Sequence, residues 1–175
     1  REQLHDWRAL GAVWLLVAVL CGLIVGGRDL GTAVLVMPHR NPILLARMLT
    51  TLDVFSKGRI ILGAGAGWMA EEFAALNTFD FARRGQVTDE YLEIFKAICK
   101  GGQVAYQGET YQFEAVNSYP ASVQRPHPRL WMTANGDGMV RRIARMGYTW
   151  YLNPHAPYDT LARQVEMYKA VRAEA

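Results

Sequence analysis

Gly31-Thr32-Ala33-Val34-Leu35-Val36-Met37-Pro38-His39-Arg40-Asn41-Pro42 opens the stretch that decides the fold, and Ile60-Ile61-Leu62-Gly63-Ala64-Gly65-Ala66-Gly67-Trp68 closes it. Thr32 to Met37 is apolar and β-branched, which suits a strand buried on both faces. From Pro42 to Phe55 the apolar residues Leu44, Leu45, Met48, Leu49, Leu52 and Phe55 follow helical spacing. Pro42 fits a first helical turn, and Lys57-Gly58 ends the helix with glycine in a left-handed cap. Arg59 to Ala64 is then a second strand. Strand, helix and strand in this order form a parallel pair joined by a crossover, with the second strand's carboxyl end left open for a ligand.

The same alternation continues along the chain. Glu71-Glu72-Phe73 opens a short helix, where two carboxylates suit the positive end of the helix dipole. Arg84 to Lys100 is a longer helix with Val87, Tyr91, Ile94, Phe95 and Ile98 on one face, stopped by Gly101-Gly102. Residues 101–128 differ in kind: turn residues alternate with aromatic ones in Tyr106-Gln107-Gly108-Glu109-Thr110-Tyr111-Gln112-Phe113, and three prolines follow. This reads as a hairpin-like insertion. Arg129 to Ala134 is a buried strand, Asp137 to Met146 a helix, Tyr148 to Leu152 a short strand and Tyr158 to Ala173 a last helix. The sum is roughly four β/α units, about half of a (β/α)8 barrel.

Length agrees with that count. A complete barrel of this kind needs about 250 residues, and the chain has 175, enough for one domain with a real core. Its 19 basic and 16 acidic residues are interspersed and give a net charge of +3, so no nucleic-acid footprint is present. Cys21 and Cys99 sit in unlike apolar contexts and read as buried free thiols in a reducing, cytoplasmic compartment. No Cys-x-x-Cys or His-Glu-x-x-His spacing suggests a metal. Ala9 to Gly27 carries no charge, and an uncharged run of about 18 residues or more qualifies as a membrane-span candidate. Its flanking charges cancel and no cleavage pattern follows it, so a buried soluble helix is the favoured reading and a membrane partner the disfavoured one.

Several residues could carry chemistry. Gly63-Ala64-Gly65-Ala66-Gly67-Trp68 places small residues at a strand end, where a flat ring or a phosphate can approach the backbone. It lacks the spacing of a dinucleotide fingerprint, and tight packing explains it about as well. Asn135-Gly136-Asp137-Gly138 lies between a strand and a helix, where free amides bind anions. Asp137 is also an ordinary cap, and its charge would oppose a phosphate. His39 and Arg40 follow a strand end, so His39 is a candidate for substrate contact or proton transfer. Arg84 and Glu90 bracket a helix start and could pair, clamping loop to helix. Trp68 and Trp131 are large apolar walls.

From Gly31 to Pro154 these motifs resemble the bacterial luciferase-like family of flavin- or deazaflavin-dependent oxidoreductases on a TIM barrel. The hairpin-like insertion at residues 101–128 is read from its turn pattern as wrapped over the barrel end. The resemblance implies a bulge with a non-proline cis peptide at Ala33-Val34, behind the flavin ring. It implies cofactor contacts from Gly65, Ala66, Gly67, Trp68, Asn135, Gly136 and Asp137. Ala66 stands where some luciferases carry a phosphate-binding arginine, and Gly136 where the family usually has serine, so a phosphate must find its positive charge elsewhere. The run Tyr119-Pro120…Val123-Gln124-Arg125-Pro126-His127-Pro128-Arg129-Leu130-Trp131 resembles deazaflavin-dependent members, which favours a deazaflavin of the coenzyme F-420 type over FMN.

The implied activity is hydride transfer or oxygen activation on a small organic substrate, a monooxygenase-like reaction in which the cofactor does the redox chemistry. The alternative is an inactive barrel fragment or assembly subunit. Half a barrel leaves strand edges that invite pairing with another copy, so a homo-oligomer is expected. A membrane-anchored protein is the weaker third reading.

Overall fold

The computed structural model describes the backbone of Ala33–Val36 and the whole of residues 39–175. The apolar run 9–27, with Cys21, lies outside the described residues, and so do Met37 and Pro38.

Strand β1 (Ala33–Val36) leads to helix α1 (Pro42–Phe55) and strand β2 (Ile61–Gly65). Helix α1 begins where its chemistry dictates. The Asn41 side chain accepts a hydrogen bond from the Leu44 amide at 3.0 Å, and Pro42 occupies the first turn. It ends at Lys57 and Gly58, both left-handed with φ of 56° and 78°. Helix α2 (Ala70–Ala75) is short; a single 3-10 turn (Phe81–Arg83) then feeds helix α3 (Arg84–Lys100). Strands β3 (Gly102–Gln107) and β4 (Gln112–Ser118) pair antiparallel as a hairpin. Strand β5 (Arg129–Thr133), helix α4 (Asp137–Arg145), strand β6 (Thr149–Tyr151) and helix α5 (Tyr158–Glu174) complete the chain.

The main sheet is parallel throughout, in the order β1-β2-β5-β6. One face is covered by helices. Leu62, Ala64, Leu130, Met132 and Trp150 of the sheet pack with Leu45 and Leu49 of α1, Tyr91, Ile94, Phe95 and Ile98 of α3, and Val140 and Ile143 of α4. Cys99 is a free thiol inside this core, and burial pushes its pKa up to about 12.

Four expectations change here. Arg129–Thr133 is not buried on both faces: Leu130 and Met132 point into the core, while Arg129 is exposed and Trp131 and Thr133 are half-buried. Trp131 instead stacks on Tyr151 of the neighbouring strand, centroids 6.0 Å apart. The bulge expected at Ala33–Val34 is absent, since these residues pair in unbroken register with Leu62 and Gly63. The cis peptide bonds among the described residues precede Pro120 and Pro126. The hairpin does not wrap over the sheet's carboxyl end. It folds back along α3, with the Tyr106 hydroxyl donating to Glu93 at 2.7 Å and its tip reaching the start of that helix.

That tip also explains the fourth change, because Glu90 forms no pair with Arg84. Its carboxylate accepts the amides of Thr110 and Tyr111 at 3.0 Å, gripping the hairpin turn. Burial pushes the Glu90 pKa up, but these amides outweigh it and the net shift is downward. The clamp of loop on helix therefore exists, with backbone amides in the place of the arginine.

Candidate functional site

Strands β2 and β5 are parallel neighbours, so their carboxyl ends open side by side. In parallel α/β sheets that end is where ligands bind. After β2 the chain runs through Ala66 and Gly67, the latter at φ 84°, a conformation that only glycine adopts readily. It arrives at Trp68, whose side chain is largely exposed, at 74%. After β5 it runs through Ala134, Asn135 and Gly136 into helix α4. These two stretches, some seventy positions apart in the sequence, line one hollow of about 470 Å³. That is within the range of about 300–1,000 Å³ typical of small-molecule sites.

Gly65, Ala66, Gly67, Trp68, Asn135 and Gly136, the residues singled out in the sequence, all line this one space. Thr133 and Met139 add to the wall. Ala66 brings no cation to the hollow, and Arg84, at the start of α3, is a cationic residue that also lines it. No carboxylate pairs with Arg84 among the described residues. Its guanidinium lies over the Phe81 ring, 3.9 Å from the centroid, and donates to the Phe81 carbonyl at 2.8 Å.

Helix α4 presents its amino end to the same space. Gly136 is its N-cap and provides no side-chain hydrogen bond, so the first amides are left for another acceptor. A Cβ at Gly136 would meet nothing within 4 Å. Asp137 is next in line, and its charge is partly offset. Arg163 of α5 donates to both of its oxygens, at 2.5 and 3.0 Å, and Gln164 donates to one at 2.9 Å. Those donors hold the Asp137 carboxyl at a pKa of about 2. The loop is pinned from behind as well: the buried Gln164 donates to the Asn135 carbonyl at 3.1 Å, and the Trp150 indole donates to the Ala134 carbonyl at 3.2 Å.

His39 is not brought to the hollow. Its ring packs edge-on against Phe73 at 4.4 Å, with Nδ1 3.6 Å from a Glu72 oxygen. Nε2 is buried without a hydrogen-bond partner among the described residues. Ala33 and Val34 lie one strand away from β5, beside Leu62 and Gly63 rather than beside the strand end.

The run Tyr119–Pro128 precedes β5, so it lies at the other end of the sheet and contributes nothing to the hollow's lining. Its anchor is Asp53, a fully buried carboxylate on α1. Asp53 accepts from the Ser122 hydroxyl, from the amides of Val123 and Gln124 at 2.7 and 2.9 Å, and from the Gln124 side chain at 2.8 Å. Burial pushes the Asp53 pKa up, and these donors more than reverse that.

Comparison with known proteins fits this geometry. A family model for luciferase-like monooxygenases matches residues 29–175. The chain belongs to the luciferase-like monooxygenase family. It is 30% identical over 153 residues to an uncharacterized protein of Mycobacterium tuberculosis, covering 87% of this chain and 51% of that one. It is 27% identical over 135 residues to the FMNH2-dependent dimethylsulfone monooxygenase of Pseudomonas putida, covering 76% of this chain and 37% of that enzyme. Among solved structures, the monooxygenase RslO1 from Streptomyces bottropensis superposes with a TM-score of 0.73 at 25% identity, over 82% of this chain and 44% of that one. The chain spans about half the length of the mycobacterial relative, and less of the other two.

Proposed function

We propose that the hollow between the ends of β2 and β5 is a flavin site, and that the chain forms part of a (β/α)8 barrel catalysing a monooxygenase-type oxidation of a small organic substrate. One observation carries this reading. Two glycine-rich strand ends, an uncapped helix amino end and an arginine without a carboxylate partner share a single hollow. The residues fit the phosphate and ring of FMN. Arg84 and the first amides of α4 would hold the phosphate, and Gly65 to Gly67 would let the ring lie against the backbone. Trp68 at the rim would cover an exposed ring face and exclude water. Arg163 beside Asp137 offsets part of the negative charge that opposes an anion at that helix end.

When bound, reduced flavin supplies the hydride or activates dioxygen; the protein positions it and keeps the site dry. His39 takes no proton in this proposal, since its ring packs against Phe73 and away from the lining. FMN is preferred to coenzyme F-420 because one relative is FMNH2-dependent. The barrel reading rests on the sheet's second face. Trp131, Thr133 and Tyr151 project there without helix cover among the described residues, as side chains that fill a barrel interior do. The alternative of a non-catalytic subunit finds no specific support at this site.

We further propose that copies pair through α1. Leu44, Met48, Leu52 and Phe55 recur at helical spacing on its outer side and are all exposed, with no charge among them. A helix apolar on nearly all sides is ordinarily covered.

The test of function is a titration of the chain with FMN, riboflavin and coenzyme F-420, read by flavin fluorescence. Saturable binding with FMN tighter than riboflavin supports the reading. Failure to bind any of the three refutes it.

A further inference from the structure

We propose that Phe81 is a positioning residue that presets Arg84 for the phosphate of the flavin. This inference rests on the flavin reading and adds a residue to it. The observation is a column of stacked groups. His39 packs edge-on against Phe73 at 4.4 Å, Phe73 packs edge-on against Phe81 at 5.3 Å, and the Arg84 guanidinium lies over the Phe81 ring at 3.9 Å. Phe73 is buried, so the column has a fixed base. Its far end is the guanidinium of Arg84, a residue that lines the hollow.

Two contacts from one residue fix the guanidinium: the Phe81 face attracts the cation, and the Phe81 carbonyl takes one of its five N–H donors. A long arginine side chain otherwise keeps many rotamers, and ordering it on binding costs affinity. Here that order is built in before any anion arrives. The adjacent Arg83 turns the other way, to Glu109 and Thr110 on the hairpin tip. Of the two neighbouring arginines, Arg84 is the one held by Phe81 and the one that lines the hollow.

The test compares FMN with riboflavin, which has the same ring and no phosphate. Binding is read by flavin fluorescence on the wild type, Phe81→Leu, Phe81→Tyr and Arg84→Gln, and on the double variant combining Phe81→Leu with Arg84→Gln. Phe81→Leu raises the Kd for FMN about fivefold, the equivalent of roughly 1 kcal/mol of cation–π attraction, and leaves riboflavin unchanged. Phe81→Tyr keeps the ring and restores FMN binding. In the Arg84→Gln background, Phe81→Leu has no further effect on FMN. Equal weakening of both flavins, or an undiminished effect without Arg84, overturns the proposal and makes Phe81 a packing residue. Equal wild-type affinity for FMN and riboflavin overturns it while leaving the flavin site standing. No flavin binding at all overturns the site and this inference together. Should Phe81→Leu lose its cooperative thermal transition, Phe81→Met replaces it with the same expected outcomes.

Discussion

Removing the Asp53 carboxylate tests how the long connection into β5 is held. Asp53 sits at 0% exposure and accepts four hydrogen bonds from three consecutive residues, Ser122, Val123 and Gln124. Gln124 also donates to the Ile60 carbonyl at 2.9 Å, so the same grip reaches the residue before β2. Asp53→Ala strands these donors. Hydrogen bonds to a charged acceptor contribute about 1.5–3 kcal/mol each, but water reaches the half-buried amides and the terms do not add. Breaking a buried charged network typically costs about 3–5 kcal/mol, and partial rescue by water puts the expected loss near 3 kcal/mol. With a urea m-value of about 2 kcal/mol/M, the unfolding midpoint falls by about 1.5 M.

Asp53→Asn keeps one acceptor oxygen and turns an NH2 group toward the Gln124 donor, so its loss is smaller, about 1–2 kcal/mol. The pH dependence separates charge from shape. The folded pKa of Asp53 lies below its unfolded value, so its contribution is complete above about pH 4 and is lost as the pH falls through the folded pKa. The gap between wild type and Asp53→Asn therefore narrows on acidification below about pH 4. Urea unfolding followed by circular dichroism at several pH values measures both effects. A midpoint for Asp53→Ala within about 0.3 M of wild type, or a gap to Asp53→Asn that does not change with pH, refutes the argument.

Three further outcomes follow from the same contacts. Ala66→Arg places a second cation on the hollow and tightens FMN by about tenfold while leaving riboflavin unchanged, as measured by fluorescence titration. Gly108→Ala puts a Cβ 2.3 Å from a Glu90 oxygen and 2.6 Å from the Tyr106 ring, so the hairpin tip must shift. Its cost is about 1–3 kcal/mol by urea unfolding, with faster hydrogen exchange at Thr110 and Tyr111. Charge on the outer side of α1, as in Leu44→Glu with Met48→Glu, moves the protein to the monomer in sedimentation equilibrium; an unchanged mass discards pairing through that face.

The elements were legible because their signals are local. Pro42 starts α1 and Lys57-Gly58 ends it at the expected positions, and Arg84–Lys100 keeps its apolar face as read. The two halves of the hollow were legible for a related reason. Each is a run of small residues just after a strand, and parallel strands bring their carboxyl ends together without further information. The misreadings have a different physics. Glu90 looked like half of an ion pair with Arg84, but a carboxylate is satisfied equally by backbone amides, and amides carry no sequence signature. Asp53 was passed over as one polar residue on an apolar helix, since its donors lie about seventy positions away and two of them are again backbone. Arg84 was invisible as a site residue because its direction is set by an aromatic face, and Phe81 reads as one more core residue. The run that suggested a deazaflavin is absent from the hollow's lining for a reason of position. A proline-rich run before a strand lies at the amino end of the sheet, whatever its resemblance, and only residues after the strand reach the mouth. Side chains that act through backbone partners are therefore the ones a sequence hides, and in this protein they hold the loops on both ends of β5.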